Sequence, residues 1–226
     1  MIQVSDLAFS YGASDFQLQV PELTIERGEK VAIVGPSGLG KSTLLKLLSG
    51  ILLPHRGSIR MGGMRLEHFS DAARRRFRAL KVGLVFQELE LIEYLSVREN
   101  ILLPYFIHRS SRKRREVQSS AETLAAAIGL ESKLTRRPDQ LSQGERQRVA
   151  ICRAMITQPE FLLVDEPTGS LDPRTANEVL ELLFDQAERN KTTMLLVTHD
   201  ASMLHRFDRT IDLAELQIVD TSPEVK

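Results

Sequence analysis

Residues 35–42 read Gly35-Pro36-Ser37-Gly38-Leu39-Gly40-Lys41-Ser42, an ungapped fit to G-x-x-x-x-G-K-[ST]. The short apolar run Lys30–Val34 precedes this stretch, and Leu44, Leu45, Leu47 and Leu48 follow it before Gly50. Strand, glycine-rich turn and helix in that order open an α/β unit, and few other sequence patterns bind a chain so closely to one fold class. The chemistry explains each residue type. Glycines let the backbone curl until its N–H groups converge on phosphate oxygens. The helix beginning near Lys41 presents unpaired N–H groups and a partial positive charge to the same anion. Lys41 is the candidate partner of the β- and γ-phosphates of a nucleoside triphosphate, and Ser42 the candidate Mg²⁺ ligand.

The chain has 226 residues, enough for one well-cored domain or two small lobes. Thirty basic side chains balance thirty acidic ones. That balance excludes a global polycation built to coat nucleic acid or anionic lipid. Cys152 is the single cysteine, so neither an internal disulfide nor a cysteine-rich zinc cluster is available. The apolar runs Ile101–Ile107 and Phe161–Val164 fall far short of the ~20 residues that span a bilayer. Met1–Ser10 carries Asp6 and no basic cluster, unlike a signal peptide. The expectation is a soluble chain in the cytoplasm.

Ile2, Val4, Leu7 and Phe9 sit near alternation, and Phe16, Leu18 and Val20 alternate before Pro21, so the N-terminal part reads as strands. The middle reads as helices without intervening strands. Ser70 is placed to cap a basic helix through Leu80, and Ser96 with Glu99 has capping-box spacing. Val117, Ala121, Leu124 and Ile128 line one helical face, with Gly129 placed to stop it. The reading is a helical insertion from about 88 to 157 within an α/β core formed by 1–87 and 158–226. The α/β signal returns with the apolar runs Phe161–Val164 and Thr193–Thr198. Between them Asp172-Pro173 opens a helix whose face carries Ala176, Val179, Leu180, Leu183 and Ala187.

Three further elements carry chemistry. Asp165 and Glu166 end an apolar strand, which suits one acid to the metal shell and the other to the attacking water. His199 ends another apolar run, whereas His55, His68, His108 and His205 have no such setting. Leu141-Ser142-Gln143-Gly144-Glu145 starts a helix. Ser142 and Glu145 form a capping box there, while the serine hydroxyl and the glycine N–H can also bind an anion.

With these residues in order along the chain, the sequence resembles an ATP-binding cassette (ABC) ATPase, the nucleotide-binding subunit of ABC transporters. The resemblance implies a P-loop α/β fold of ABC type: a mixed RecA-like core, an antiparallel β subdomain and a helical subdomain. It implies that Tyr11 stacks on adenine and that Gly35, Pro36, Ser37, Gly38, Leu39, Gly40, Lys41, Ser42 and Thr43 bind the phosphates of ATP. Gln87 matches the glutamine that senses Mg²⁺ and a transmembrane partner. Ser142 and Gly144 match the signature motif, Asp165 and Glu166 the metal and base pair, Ser170-Leu171-Asp172 a dimer-contacting loop, and His199 the switch histidine. Glu166 through Asp172 and Ile101 through Pro104 are similar to the lipoprotein-release, macrolide-export and cell-division subgroup.

The implied catalytic set is Lys41, Gln87, Glu166 and His199, with Ser42, Gln87 and Asp165 around Mg²⁺. The implied partners are a second ATPase subunit, most simply an identical one, and transmembrane permease subunits, with no nucleic acid. A regulatory ATPase of a division complex and a soluble ABC ATPase acting outside transport remain open as alternatives. Two positions depart from the family's commonest signature: Gln143 stands for a glycine and Glu145 for a glutamine. Leu39 stands for a small polar residue where only backbone contact is expected. The basic run Arg109 to Arg115 and the cluster Arg74-Arg75-Arg76 read mainly as solvated surface, and Cys152 as a buried inert thiol.

Overall fold

A computed structural model describes residues 1–12, 16–107, 114–168 and 171–216, with the backbone alone at 114 and 115. Gly169, Ser170 and most of the basic run Arg109 to Arg115 lie outside the described residues. Two sheets organise the chain. The first is antiparallel, in the order β2 (Gln17–Ile25), β1 (Ile2–Ser10), β4 (Arg56–Met61), β5 (Met64–Arg65). Pro21 does not end β2. The strand lies at the sheet edge, where a missing N–H breaks no ladder, and it runs on to Ile25. The near-alternation in β1 has a physical cause: its register with β4 shifts between Ser5 and Ala8, where Asp6 takes φ 49°.

The second sheet runs β6 (Val82–Val85), β7 (Phe161–Asp165), β8 (Thr193–Val197), β3 (Lys30–Val34), β9 (Arg209–Asp212), and its pairings are all parallel. Parallel strands covered on both faces read as continuous apolar runs, and every residue of β7 and β8 is buried. Pleating sends alternate side chains to opposite layers. Ile33, Leu163, Leu195 and Val197 join Leu44, Leu47 and Leu48 of α1 (Lys41–Leu48), Phe77 of α2 (Asp71–Lys81) and the inner face of the antiparallel sheet. Leu162, Val164 and Leu196 face Val179, Leu180 and Leu183 of α6 (Pro173–Asn190).

The helices between residues 97 and 155 gather around a core of their own. Val97 and Ile101 of α3 (Val97–Ile107), Val117 and Ala121 of α4 (Arg114–Ala127), and Val149 and Cys152 of α5 (Gln143–Met155) make it. Ser96 caps α3 with Glu99, Ser70 caps α2 through the Ala73 N–H, and Gly129 follows α4 at φ 68°, all where the sequence signals place them. Burial pushes the Cys152 thiol up to about 12, which keeps it protonated and inert. Helix α5 belongs to both cores, because Ile151, Ala154 and Met155 turn toward the sheet.

The approach of α5 to the sheet depends on Gly83 in β6. A Cβ there would meet the Ala154 carbonyl oxygen at 2.5 Å, Pro159 at 3.0 Å and Leu162 at 3.1 Å. Backbone cannot yield as a side-chain tip does. Gly83→Ala is therefore expected to cost about 1–3 kcal/mol by overpacking. Thermal melting should show a drop of ~2–4 °C for each kcal/mol in a chain of this size; an unchanged melting temperature would contradict this packing.

Candidate functional site

The parallel register gathers the candidate residues at one edge. Ile33 pairs with Val197, Asp165 with Val197, and Val85 with Val164. The residues just beyond these strands therefore share the carboxyl end of the sheet: Gly35, His199, Glu166 and Gln87. Between β3 and α1 the loop turns through positive φ at Gly35 (143°), Gly38 (82°) and Gly40 (103°), which L side chains rarely adopt. Gly40 is the N-cap of α1 and has no side chain to occupy the helix start. The Phe16 and Leu18 side chains lie where its Cβ would point, the nearer atom at 2.9 Å.

Lys41 is 7% exposed and folds back over the loop, donating from Nζ to the Gly35 and Pro36 carbonyls at 2.8 and 2.9 Å. Its ammonium is thus fixed at the mouth of the loop, with Pro36, Ser37 and Gly38 exposed on the rim. Thr43 is buried, and its Oγ1 lies 3.2 Å from the Tyr11 hydroxyl. Tyr11 meets Phe9 edge to face at 4.9 Å and Phe16 at 5.5 Å, yet stays 42% exposed.

Asp165, at the end of β7, is 6% exposed and lies beside the Ser42 hydroxyl. Its Oδ1 is buried without a hydrogen-bond partner. Burial raises the Asp165 pKa from the ordinary carboxylate range, Ser42 and Lys41 oppose that rise, and Glu166 adds to it. An orphaned carboxylate oxygen beside a serine hydroxyl is a donor set of hard oxygens suited to Mg²⁺. Glu166 takes a left-handed φ of 43°, held by its N–H bond to the Val197 carbonyl at 3.0 Å. Backbone strain of this kind collects at functional sites. The twist leaves Glu166 Oε1 at 3.2 Å from Nδ1 of His199. Both residues line a cleft of about 350 Å³ with Thr168, Thr198, Asp200 and Ala201.

Thr198 and Asp200 do not follow from the sequence reading, although Asp200 carries a visible N-cap signal. Thr198 Oγ1 accepts the Asp200 N–H, and Asp200 accepts the Ser202 N–H at 2.9 Å; the Ser202 side chain first, and then this N–H, hold its carboxyl below the usual range. This chain of turns fixes the backbone on either side of His199. Gln87 sits exposed in the turn after β6, at the same edge but on the neighbouring strand.

Ser142 and Gly144 are elsewhere. Ser142 is exposed at the N-cap of α5, where its hydroxyl accepts from the Glu145 N–H and Glu145 Oε2 accepts from the Ser142 N–H at 2.9 Å. Glu145 also pairs with Lys133, and that contact holds its carboxyl below the ordinary range. A Cβ on Gly144 would meet Thr175 at 2.7 Å and Leu171 at 3.8 Å, whereas the nearest neighbours of Gly35 are Leu39, Asp212 and Leu213. The start of helix α5 thus packs on the start of α6, while its C-terminal end packs on β6.

The ABC transporter family profile matches residues 18–169. The lipoprotein-releasing system ATP-binding protein LolD of Geobacter metallireducens is 38% identical over 222 residues, covering 97% of this chain and 98% of that protein. The uncharacterized ABC transporter ATP-binding protein YbbA of Escherichia coli K12 is 38% identical over 221 residues, 96% of each chain. Among solved structures, the dimeric post-hydrolysis state of the ATP-binding cassette MJ0796, bound to ADP and Pi, aligns with TM-score 0.86 at 31% identity over 94% of each chain.

Because burial raises the Asp165 pKa, the folded protein holds that proton more tightly than the unfolded chain. Stability is then expected to fall as pH rises from the ordinary carboxylate range through the raised value. Asp165→Asn should accordingly raise the melting temperature of the nucleotide-free protein by a few degrees at neutral pH. The gain should shrink below about pH 4, where the unfolded carboxyl is also protonated. A variant that melts lower than the parent at neutral pH would contradict the burial argument.

Proposed function

The chain belongs to the ABC transporter family of ATPases, and from that premise we propose that it is the nucleotide-binding subunit of a LolD-type membrane complex, closing head to tail with a second copy around two ATP. One observation carries the reading. The phosphate loop, Asp165, Glu166 and His199 lie at one end of the sheet, while Ser142 and Gly144 sit on α5, packed beside Thr175. One copy holds the halves of a pocket apart, and a second copy is the simplest way to join them. The dimeric form of the MJ0796 cassette supports this arrangement.

The residues then divide the work. Gly35 through Thr43 bind the phosphates of ATP, with Lys41 placing a fixed positive charge against them. Ser42 and Asp165 would hold Mg²⁺, with Gln87 at the same edge, and a bound ion would supply positive charge against the phosphates. Glu166 accepts the proton of the attacking water, and His199, 3.2 Å away, orients that water and the γ-phosphate. Tyr11 offers its exposed ring to adenine. Ser142 and Gly144 of each copy close on the γ-phosphate held by the other, so that ATP binding draws the two copies together and its loss releases them.

A groove supports a transmembrane partner. Arg75, Arg78, Leu84, Phe86, Leu103 and Pro104 line a cavity of about 380 Å³ between α2, β6 and α3. Phe106 and Ile107 at the end of α3 stand 58% and 62% exposed beside it. Among the described residues no helix is long and apolar enough to cross a membrane. A cytoplasmic segment of a permease fits that apolar groove, and it would hold the chain at the cytoplasmic face. Release of lipoproteins is the transport function that the LolD relatives suggest.

Glu166→Gln tests the reading. It should retain ATP, sediment as a stable dimer with ATP, and lose turnover by about 100-fold or more, as removal of a general base does. Adding Ser142→Ala to that variant should abolish the dimer while the monomer's affinity for ATP stays unchanged. An Glu166→Gln protein that remains monomeric with saturating ATP would sink the composite pocket.

A further inference from the structure

Leu89 and Glu90 take left-handed backbone conformations in succession, at φ 58° and 50°. Neither is a glycine, and neither is an asparagine or aspartate that tolerates this region by local hydrogen bonding. Strain of this kind persists only where the surroundings over-determine it. One side chain grips both residues. Arg153, eleven residues after Ser142 on α5, donates from Nη1 to the Glu90 carbonyl and from Nη2 to the Leu89 carbonyl, each at 2.5 Å. The planar guanidinium makes a two-pronged contact to adjacent carbonyls that a lysine cannot copy.

The turn that this fork grips is the one that carries Gln87. The Leu89 N–H bonds the Phe86 carbonyl at 3.0 Å and the Glu90 N–H bonds the Glu88 carbonyl, so 86–90 form one continuous turn. Leu89 itself is 5% exposed, and its side chain pins the far end of the turn. Gln87 is exposed at the tip, so its position follows from the backbone beneath it. A glycine at 89 or 90 would reach the same φ freely, but it would leave the turn loose.

We infer that Arg153 is a positioning residue for hydrolysis: its guanidinium locks the 86–90 turn in a left-handed conformation and thereby fixes Gln87 at the nucleotide edge, joining that turn to the helix that begins at Ser142. The inference rests on the proposed role of Gln87 at the Mg²⁺ site. It adds a residue outside the pocket that acts only through the turn.

The experiment uses the full chain with Arg153→Met, Arg153→Lys, Gln87→Ala and the Arg153→Met/Gln87→Ala pair. ATPase rate is measured against Mg²⁺ concentration, with ATP affinity and amide exchange measured alongside. Arg153→Met should lower kcat by about tenfold or more, the loss expected for a hydrogen bond to a charged group, and shift the Mg²⁺ requirement upward. ATP affinity should hold, because the phosphate loop is untouched. Exchange of the Leu89 and Glu90 amides should accelerate while that of α5 does not. The double variant should be no slower than Gln87→Ala alone. Arg153→Lys should recover little. Glu90→Gly in the Arg153→Met background should restore part of the rate, since glycine accepts the left-handed turn without the clamp.

Full additivity of Arg153→Met and Gln87→Ala, or unchanged exchange at Leu89, overturns the inference. If Arg153→Met does not fold, Arg153→Lys carries the same comparison, and unchanged kcat and exchange in that variant also overturn it. Failure of the Gln87 reading looks different: Gln87→Ala would then keep the parent rate and Mg²⁺ dependence while the Leu89 amide still loosens in Arg153→Met.

Discussion

Parallel pairing of β3, β8 and β7 is the constraint on which the rest of the structure depends. Ile33, Val197 and Asp165 lie in register across three strands, so the chain leaves each strand at the same edge. That single alignment brings the phosphate loop to the Asp165-Glu166 pair and His199, which lie more than a hundred residues further along the chain. The inter-strand bond from Glu166 to Val197 extends the ladder by one residue beyond β7 and leaves that glutamate at a left-handed φ. A sheet covered on both faces resists slippage, because a one-residue shift would exchange Leu163 and Leu195 in one core for Leu162 and Leu196 in the other.

Much of this was legible in the sequence, and the exceptions have causes. The phosphate loop, the apolar strands β7 and β8, and the caps at Ser70, Ser96, Ser142 and Asp172 are local signals, and local chemistry satisfies them. Strands β4, β6 and β9 carry no such signal. Only Ile59 and Met61 of β4 are buried, and β6 is four residues long with Gly83 in its middle. Their strand identity comes from partners far along the chain, which no window of sequence displays. The same holds for Gly144. Its spacing reads as an anion site, and nothing local reveals that Thr175 also requires it to lack a side chain.

Glu145 shows how a departure from a family pattern can be absorbed. A carboxylate where glutamine is commonest brings negative charge to a helix start that is proposed to meet phosphate. Both of its oxygens are engaged, one by the Ser142 N–H within the cap and the other by Lys133. Lys133 stands in the short turn after α4, so the compensating charge comes from a different element of the same helical core. The pair preserves the cap and returns the local charge to near zero, and this explains why such a substitution leaves the N-terminus of α5 intact.

Helix α5 then ties together features that the sequence separates. Its N-terminal end abuts Thr175 and Leu171, at the start of α6, and its C-terminal end grips the Gln87 turn through Arg153. From Ser142 to Arg153 a helix rises about 1.5 Å per residue, roughly 16 Å in all. Gly83 lets this rod lie directly against β6, and Ile151 and Met155 anchor it in the core beneath the sheet. A helix packed this closely moves as a unit, since interiors at crystal-like density transmit displacement rather than absorb it. A shift at the end proposed to face a second copy's nucleotide therefore reaches the turn beside this copy's own, and that turn lies against the groove proposed for the membrane partner. In the proposed complex, nucleotide, second copy and partner would thus act on the same rigid element.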